Sequence, residues 1–309
     1  MQAAKDGLSL WINNIFPSLF PFFIAVELLN HTHIPHYLGK LFKKIMKPLF
    51  NVPGIGAYAF FMGVVSGYPV GAKIVTNLRN QNLCTKEEGE RMLTFTNNSG
   101  PLFIIASVGI SMFHDTSIGI LLLVTHLLAC LTVAFLFRFW KYNERTPRED
   151  KINSSHEIHL ENLGLVLSQS ISSAIRSVVM IGGFIVFFSV LLSILTQLKF
   201  FELTVTLFTP LITNKAFISP VLSGLLELTS GLNLVSLVPS IKLGMNVIIA
   251  AFLLGFGGIS ILLQVWSITS TSDLSIKPYL YGKLLQGTLA SVYTFLIISN
   301  ISYFRYLLL

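Results

Sequence analysis

Long uncharged stretches dominate the chain: Gly7–Val26, Pro48–Ala72, Met92–His114, Thr116–Phe137, Ser177–Leu198, Leu243–Ser272 and Leu284–Phe304. A helix that crosses a bilayer needs about 20 mostly apolar residues, and these stretches are of that size. They predict crossing helices over 8–29, 92–113, 117–138, 170–197, 243–270 and 284–304. Between them, 30–52 reads as an amphipathic surface helix carrying Lys40, Lys43, Lys44 and Lys47, and 141–163 as the one long polar loop. Two stretches interrupted by glycine, 53–80 and 216–240, read as re-entrant hairpins that enter and leave on the same side. The expected fold class is an all-α polytopic membrane protein, with two re-entrant helical hairpins and two broken transmembrane helices.

Composition narrows this further. The 309 residues are 53% hydrophobic and 11% charged, whereas soluble domains carry about 25% charged residues; a water-soluble enzyme is excluded. The 22 Gly and 12 Pro fall inside the apolar stretches as well as between them. In lipid such breaks survive only where protein or a water-filled cavity satisfies the freed backbone. Cys84 and Cys130 form no CxxC, so neither a disulfide framework nor a metal site follows. The first apolar stretch is long and interrupted by Pro17 and Pro21, unlike a cleavable signal peptide.

The net charge of +7 would suit nucleic acid or anionic lipid, and its distribution decides which. With the expected crossings, one side holds sixteen basic residues: Lys40, Lys43, Lys44, Lys47, Lys73, Arg79, Lys86, Arg91, Arg138, Lys141, Arg145, Arg148, Lys151, Arg176, Lys277 and Lys283. The other holds five: Lys5, Lys199, Lys215, Lys242 and Arg305. The positive-inside rule makes the first side cytoplasmic. The basic excess is an orientation signal and calls for no nucleic-acid partner.

The chain also reads as two copies of one plan, 1–140 and 164–309, joined by the cytoplasmic linker 141–163. Gly7–Leu29 corresponds to Ser170–Leu192, Pro48-Leu49 to Pro210-Leu211, and the run Ser66-Gly67-Tyr68-Pro69-Val70-Gly71 to Leu228-Thr229-Ser230-Gly231. The break Asn97-Asn98-Ser99-Gly100-Pro101 corresponds to Gly255-Phe256-Gly257-Gly258-Ile259-Ser260. Three crossings separate the two starts, so the second copy is inverted. Paired interrupted helices in inverted halves point to a transporter site. A helix broken at mid-membrane exposes N–H groups that attract anions and C=O groups that attract cations. Two tips and two breaks at the midplane would line one polar cavity. Glycines that merely let helices pack closely are the plainer reading.

The runs Phe16-Pro17-Ser18-Leu19-Phe20-Pro21-Phe22-Phe23, Ser66–Lys73, Asn98-Ser99-Gly100-Pro101 and Leu226-Glu227-Leu228-Thr229-Ser230-Gly231 resemble the sporulation integral membrane proteins of the "nucleoside recognition" Gate family, found in endospore-forming Firmicutes. The resemblance covers nearly the whole chain. It implies a fold related to the transport core of concentrative nucleoside transporters, and transport of dipicolinic acid from the mother cell across the outer forespore membrane. The family has a further membrane helix ahead of the position matching Gly7. The charge distribution places residue 7 outside, so an in-going helix is expected upstream.

The substrate-binding residues expected are Ser66, Gly67, Tyr68, Lys73, Asn97, Asn98, Ser99, Glu227, Thr229, Ser230 and Ser260. Glu227 stands in an uncharged stretch at membrane depth, which is costly and marks a functional candidate; in the related nucleoside transporters a second-hairpin Glu lies in the substrate site. Its alternative is a carboxylate satisfied by neighbouring N–H groups. Lys73 follows the first tip, where helix start and ammonium together suit a dicarboxylate that is doubly anionic at neutral pH; its alternative is a lysine reaching for headgroups. Glu27 reads as structural. Asn97, Asn98, Ser99, Ser260 and Gln264 offer neutral hydrogen bonds to a substrate or between helices. His31, His33 and His36 read as a solvated loop, and His114 and His126 have no evident partner. No GxxxxGK[ST], HExxH or nucleophile–base pair is present, so no enzymatic role, cofactor or metal is expected. The partners expected are a small anionic substrate and membrane lipids, with a homo-oligomer and association with other sporulation membrane proteins left open. A nucleoside or other metabolite transporter, and a gating or assembly protein that transports nothing, are the alternative functions.

Overall fold

The computed structural model of the chain describes residues 1–142, 163–208, 215–239, 243–301 and 304. Among the described residues all regular structure is helical. Helix α1 (Gln2–Leu10) runs through a π-helical segment (Trp11–Ile15) into α2 (Phe16–Asn30), and α3 (Ile34–Phe50) follows. Next come α4 (Gly56–Ser66), α5 (Val70–Asn80), α6 (Lys86–Thr96), a π-helix (Phe103–Met112) and α7 (Thr116–Phe137). The second half holds α8 (Leu163–Gln197), α9 (Phe200–Phe208), α10 (Ile218–Leu226), α11 (Leu228–Leu237), α12 (Gly244–Phe256), α13 (Gly258–Thr269) and α14 (Lys277–Asn300). The two stretches expected as hairpins hold the helix pairs α4–α5 and α10–α11. Both expected breaks are present, one over 97–100 and the other at Gly257. The pair Pro210-Leu211 and nearly all of the polar loop 141–163 lie outside the described residues.

Three helical stretches are long and apolar enough to cross a membrane, Thr116–Phe137, Leu163–Gln197 and Gly244–Thr269. Which way each helix faces supports the same conclusion. Along α7, Ile120, Val124, Leu128, Leu131 and Phe135 point outward and exposed, while Thr125, His126 and Cys130 are buried. Along α14, Leu284, Val292, Phe295 and Leu296 are exposed, and Lys283, Gln286 and Thr294 are buried. Polar side chains inside and a continuous apolar exterior suit lipid as the surrounding solvent and would aggregate in water. The chain is an integral membrane protein.

The helices gather into two compact units. One contains Met1–Asn97, Ala134–Val190 and Gln264–Tyr279; the other contains Asn98–Val133, Leu191–Leu263 and Leu280–Leu309. In the first unit Trp11 lies over Gly182, where a Cβ would press into the indole, and its Nε1 donates to the Val178 carbonyl at 3.0 Å. Thr85 and Glu88 close a reciprocal capping box that starts α6. The next residues of α6 are two buried charges. Arg91 donates to the carbonyls of Asn51, Trp140 and Lys141, satisfying chain ends that carry no helical partner. Glu90 accepts from Trp140 Nε1 and the Ser275 amide and pairs with Lys141 at 3.4 Å. In the second unit Gly109 packs on Gly119 and Gly255 on Gly287, and Asn246 donates to the Val235 and Val238 carbonyls that end α11.

Three residues of the basic tally turn inward. Arg91 is bound within the protein, and Lys283, read as lying just outside its crossing helix, is inside α14 and 1% exposed. The helix starts at Lys277 rather than near 284 because its polar inward face continues past the apolar window. Lys73 also spends its charge internally, as described below.

Candidate functional site

In the first unit the turn between α4 and α5 comes down onto the end of α6. Gly67 adopts φ 78, ψ −172, a conformation that side chains oppose and glycine permits. It redirects the chain after Ser66, and Tyr68 and Pro69 complete the turn. A Cβ on Gly63 or on Gly71 would overlap the Thr96 carbonyl oxygen, so both hairpin legs lie directly against the backbone where α6 breaks. At that junction Asn97 turns extended (φ −105, ψ 97) and its Nδ2 donates to the Tyr279 hydroxyl at 3.0 Å. Ser66 Oγ, Thr96 Oγ1 and Asn97 Oδ1 are all buried there without a hydrogen-bond partner. Each such atom costs about 1–3 kcal/mol. Three together mark a place where a polar ligand would be welcome.

Lys73 does not join them. Its ammonium forms an ion pair with Glu27 of α2 and donates to Ser173 and Ser177 of α8, at 3.0 and 2.8 Å. Ser173 donates to the same carboxylate oxygen of Glu27. A single α5 cation is thus met by a carboxylate and two hydroxyls, tying three helices together and cancelling most of its field.

The second unit repeats the backbone arrangement. Gly224 and Gly231 face each other across α10 and α11, where a Cβ on Gly231 would overlap the Gly224 backbone. The turn is a single residue, Glu227 (φ −138, ψ 118). Gly258, at φ +84, lies beside the Gly224 carbonyl and the Leu228 amide, so this tip also meets a broken helix. Glu227 caps α11: its Oε1 accepts from the Thr229 amide at 2.9 Å and its Oε2 from the Ser230 amide at 2.7 Å. Both bonds are charge-assisted and sit at a helix start, which explains how a carboxylate persists at this depth. Thr229 and Ser230 therefore act through their backbones. Ser260 is buried in the first turn of α13.

Asn98 and Ser99 continue the first break into the second unit. Asn98 Oδ1 accepts from Lys283 Nζ at 3.4 Å and Gln286 Nε2 at 3.1 Å, and its Nδ2 donates to Cys130 Sγ at 3.4 Å. Ser99 Oγ is buried without a partner. Lys283, Gln286 and His126 are the residues that reading the sequence missed. A signal existed: Tyr279, Lys283, Gln286, Ala290 and Thr294 recur at helical spacing and are all buried. Starting the helix at 284 left its most informative residue outside. The histidines of the 31–36 stretch are exposed or half-buried, and no cluster able to hold a metal occurs among the described residues.

Residues 12–139 match the family model described as "Gate: Nucleoside recognition". That match takes in the first tip and the whole first break. Along 96% of its length the chain is 37% identical to the sporulation integral membrane protein YlbJ of Bacillus subtilis (strain 168), covering 77% of that relative. The chain belongs to the YlbJ family of sporulation integral membrane proteins. No solved structure matches it. The Gate match falls on the tip and break that carry the unpartnered polar atoms.

Proposed function

We propose that this YlbJ-family protein is a secondary transporter for a small organic anion, dipicolinic acid, which it moves from the mother cell across the outer forespore membrane. The reading takes the chain as two inverted Gate-like repeats, 1–140 and 164–309, each with a re-entrant hairpin and a broken helix. The observation that carries it is the meeting, within each unit, of a hairpin tip with a helix break, accompanied by buried polar atoms without partners at Ser66, Thr96, Asn97 and Ser99. Structural glue would leave these groups bonded across helices; a transport site leaves them for the ligand.

For an anion, the positive element is better sought at Lys283 than at Lys73. Lys283 is bonded to neutral amide oxygens beside the break, whereas Lys73 is compensated by Glu27. Ser66, Gly67, Tyr68, Asn97, Asn98, Ser99, Glu227, Thr229, Ser230 and Ser260 remain the proposed lining, with Lys73 holding the first tip. A second reading, a nucleoside as substrate, draws on the family description and on the neutralised Lys73. Titration of purified protein with dipicolinate and with uridine and adenosine separates the two. Saturable dipicolinate binding that nucleosides do not displace is expected, weakened about tenfold or more by Asn98→Leu. Nucleoside binding without dipicolinate binding overturns the proposal.

A further inference from the structure

Lys283, Gln286 and His126 form a buried chain whose hydrogen-bond arithmetic constrains their protons. Lys283 Nζ donates to Gln286 Oε1 at 2.8 Å, and Gln286 Nε2 lies 3.4 Å from His126 Nε2. All three are 0–1% exposed. An ammonium carries donors and no acceptor. A charged Lys283 therefore fixes the Gln286 amide with its oxygen toward Nζ and its NH2 toward His126. That NH2 needs a lone pair on His126 Nε2, so His126 is neutral in this arrangement. An imidazolium has donors on both nitrogens and would need the Gln286 oxygen instead. The amide would then turn over and present its NH2 to Lys283, which can accept it only as the neutral amine.

The structure thus assigns Lys283 and His126, bridged by the Gln286 amide, as a site that holds one exchangeable proton between two residues, and we propose that it couples substrate movement to protons. This rests on the transport reading above. In one state Lys283 is the ammonium and His126 the neutral imidazole; in the other the Nζ–H bond is replaced by an N–H bond on the imidazole. The pair carries one positive charge in both; in a third state, reached as pH rises, the proton has left to solvent and amine and imidazole are both neutral. His126 Nδ1, buried without a hydrogen-bond partner, adds no bond that would hold the ring in either form. Among the described residues the titratable groups facing the chain include the Cys130 thiol, one turn along α7 and bonded to Asn98; Asn98 and Gln286 are neutral. The link to the break is direct. Gln286 Nε2 also donates to Asn98 Oδ1, and turning the amide over withdraws that donor and sets two amide oxygens against each other, so the position of the proton bears on the break.

The test is dipicolinate counterflow in proteoliposomes of the full chain, measured across about pH 5.5–8.5, where histidine ionisation falls. The wild type is expected to change rate severalfold over this range. His126→Gln should flatten the profile to within about twofold, because the proton then has no imidazole to occupy or leave. His126→Phe serves the same purpose should the first variant fold poorly. A wild-type profile that is already flat, or one that the folded variants share, overturns the coupling alone. A wild type that moves no dipicolinate overturns the transport reading, and the coupling with it.

Discussion

The two hairpin tips share a backbone device and differ in chemistry. In each, a pair of glycines lets the hairpin legs close up, Gly63 with Gly71 and Gly224 with Gly231, about 160 residues apart in sequence. In each, the turn then meets a helix break. The first turn spans Gly67-Tyr68-Pro69, carries no charge, and leaves three buried polar atoms without partners. The second is one residue, and that residue is a carboxylate whose two oxygens are taken by amides two and three positions on. Close backbone approach is the common requirement, so glycine recurs. The side chains at the turn are free to differ, so the first tip is chemically open and the second internally closed.

That contrast can be broken most strongly at the glycines. Gly63→Ala or Gly71→Ala drives a Cβ into the Thr96 carbonyl, which cannot move aside. Loss of folded protein, or a destabilisation of roughly 3 kcal/mol or more, is expected. Gly224→Ala first meets the Leu253 side chain, which can rotate, and should cost clearly less. Gly183→Ala, with open space around it, should be neutral or slightly stabilising. Thermal unfolding in detergent ranks the four; equal effects at Gly63 and Gly224 would remove the distinction.

The charges sharpen it next. Lys73 is held by a partner from another helix, whereas Glu227 is held by its own turn. Removing Glu27 or Lys73 singly should cost about 2–4 kcal/mol, since each leaves a largely buried charge uncompensated. The double Glu27→Gln, Lys73→Gln change should recover part of that loss, giving a measurable coupling in a double-mutant cycle. Glu227→Gln should cost about 1 kcal/mol, because one acceptor oxygen remains for the helix start. Additive single effects at Glu27 and Lys73 would show that the pair contributes nothing jointly.

The smallest effect lies outside the membrane-spanning segments. The Arg79 guanidinium forms a two-pronged contact with Asp273, at 2.8 and 2.9 Å, and holds that carboxyl below its ordinary value. A depressed acid stabilises the fold above the unfolded-state value, near 3.9, and loses that contribution as pH falls through the folded value. Asp273 is 49% exposed, so about 0.5 kcal/mol is expected from Asp273→Asn at pH 7. The difference from wild type should vanish at strongly acid pH and shrink in high salt; a constant difference across pH would assign it to packing.

Most of the architecture was legible from residue order. Both hairpins and both breaks could be placed because glycine and proline inside apolar stretches are informative in lipid, where the backbone has no water to fall back on. The runs read as interruptions contain Gly71 and Gly231, whereas their close partners Gly63 and Gly224 lie outside those runs. Glu227 was identified from its isolation, and the open alternative, a carboxylate satisfied by nearby amides, describes the bonds it makes.

What residue order determined by itself was the class of the molecule: a helical, lipid-embedded chain with interrupted elements at matched positions, since length, apolarity and backbone breaks are local properties. What only the tertiary structure decided was the state of each polar group. Lys73, near the first tip, proved to be bound to Glu27 146 positions from its hydroxyl donor Ser173, and Lys283, near a helix end, proved to be buried against Asn98, 185 positions away. The physical reason is that a charge is stabilised or stranded by what lies within a few ångströms, and inside a folded membrane protein those neighbours come from distant helices whose register no local pattern records.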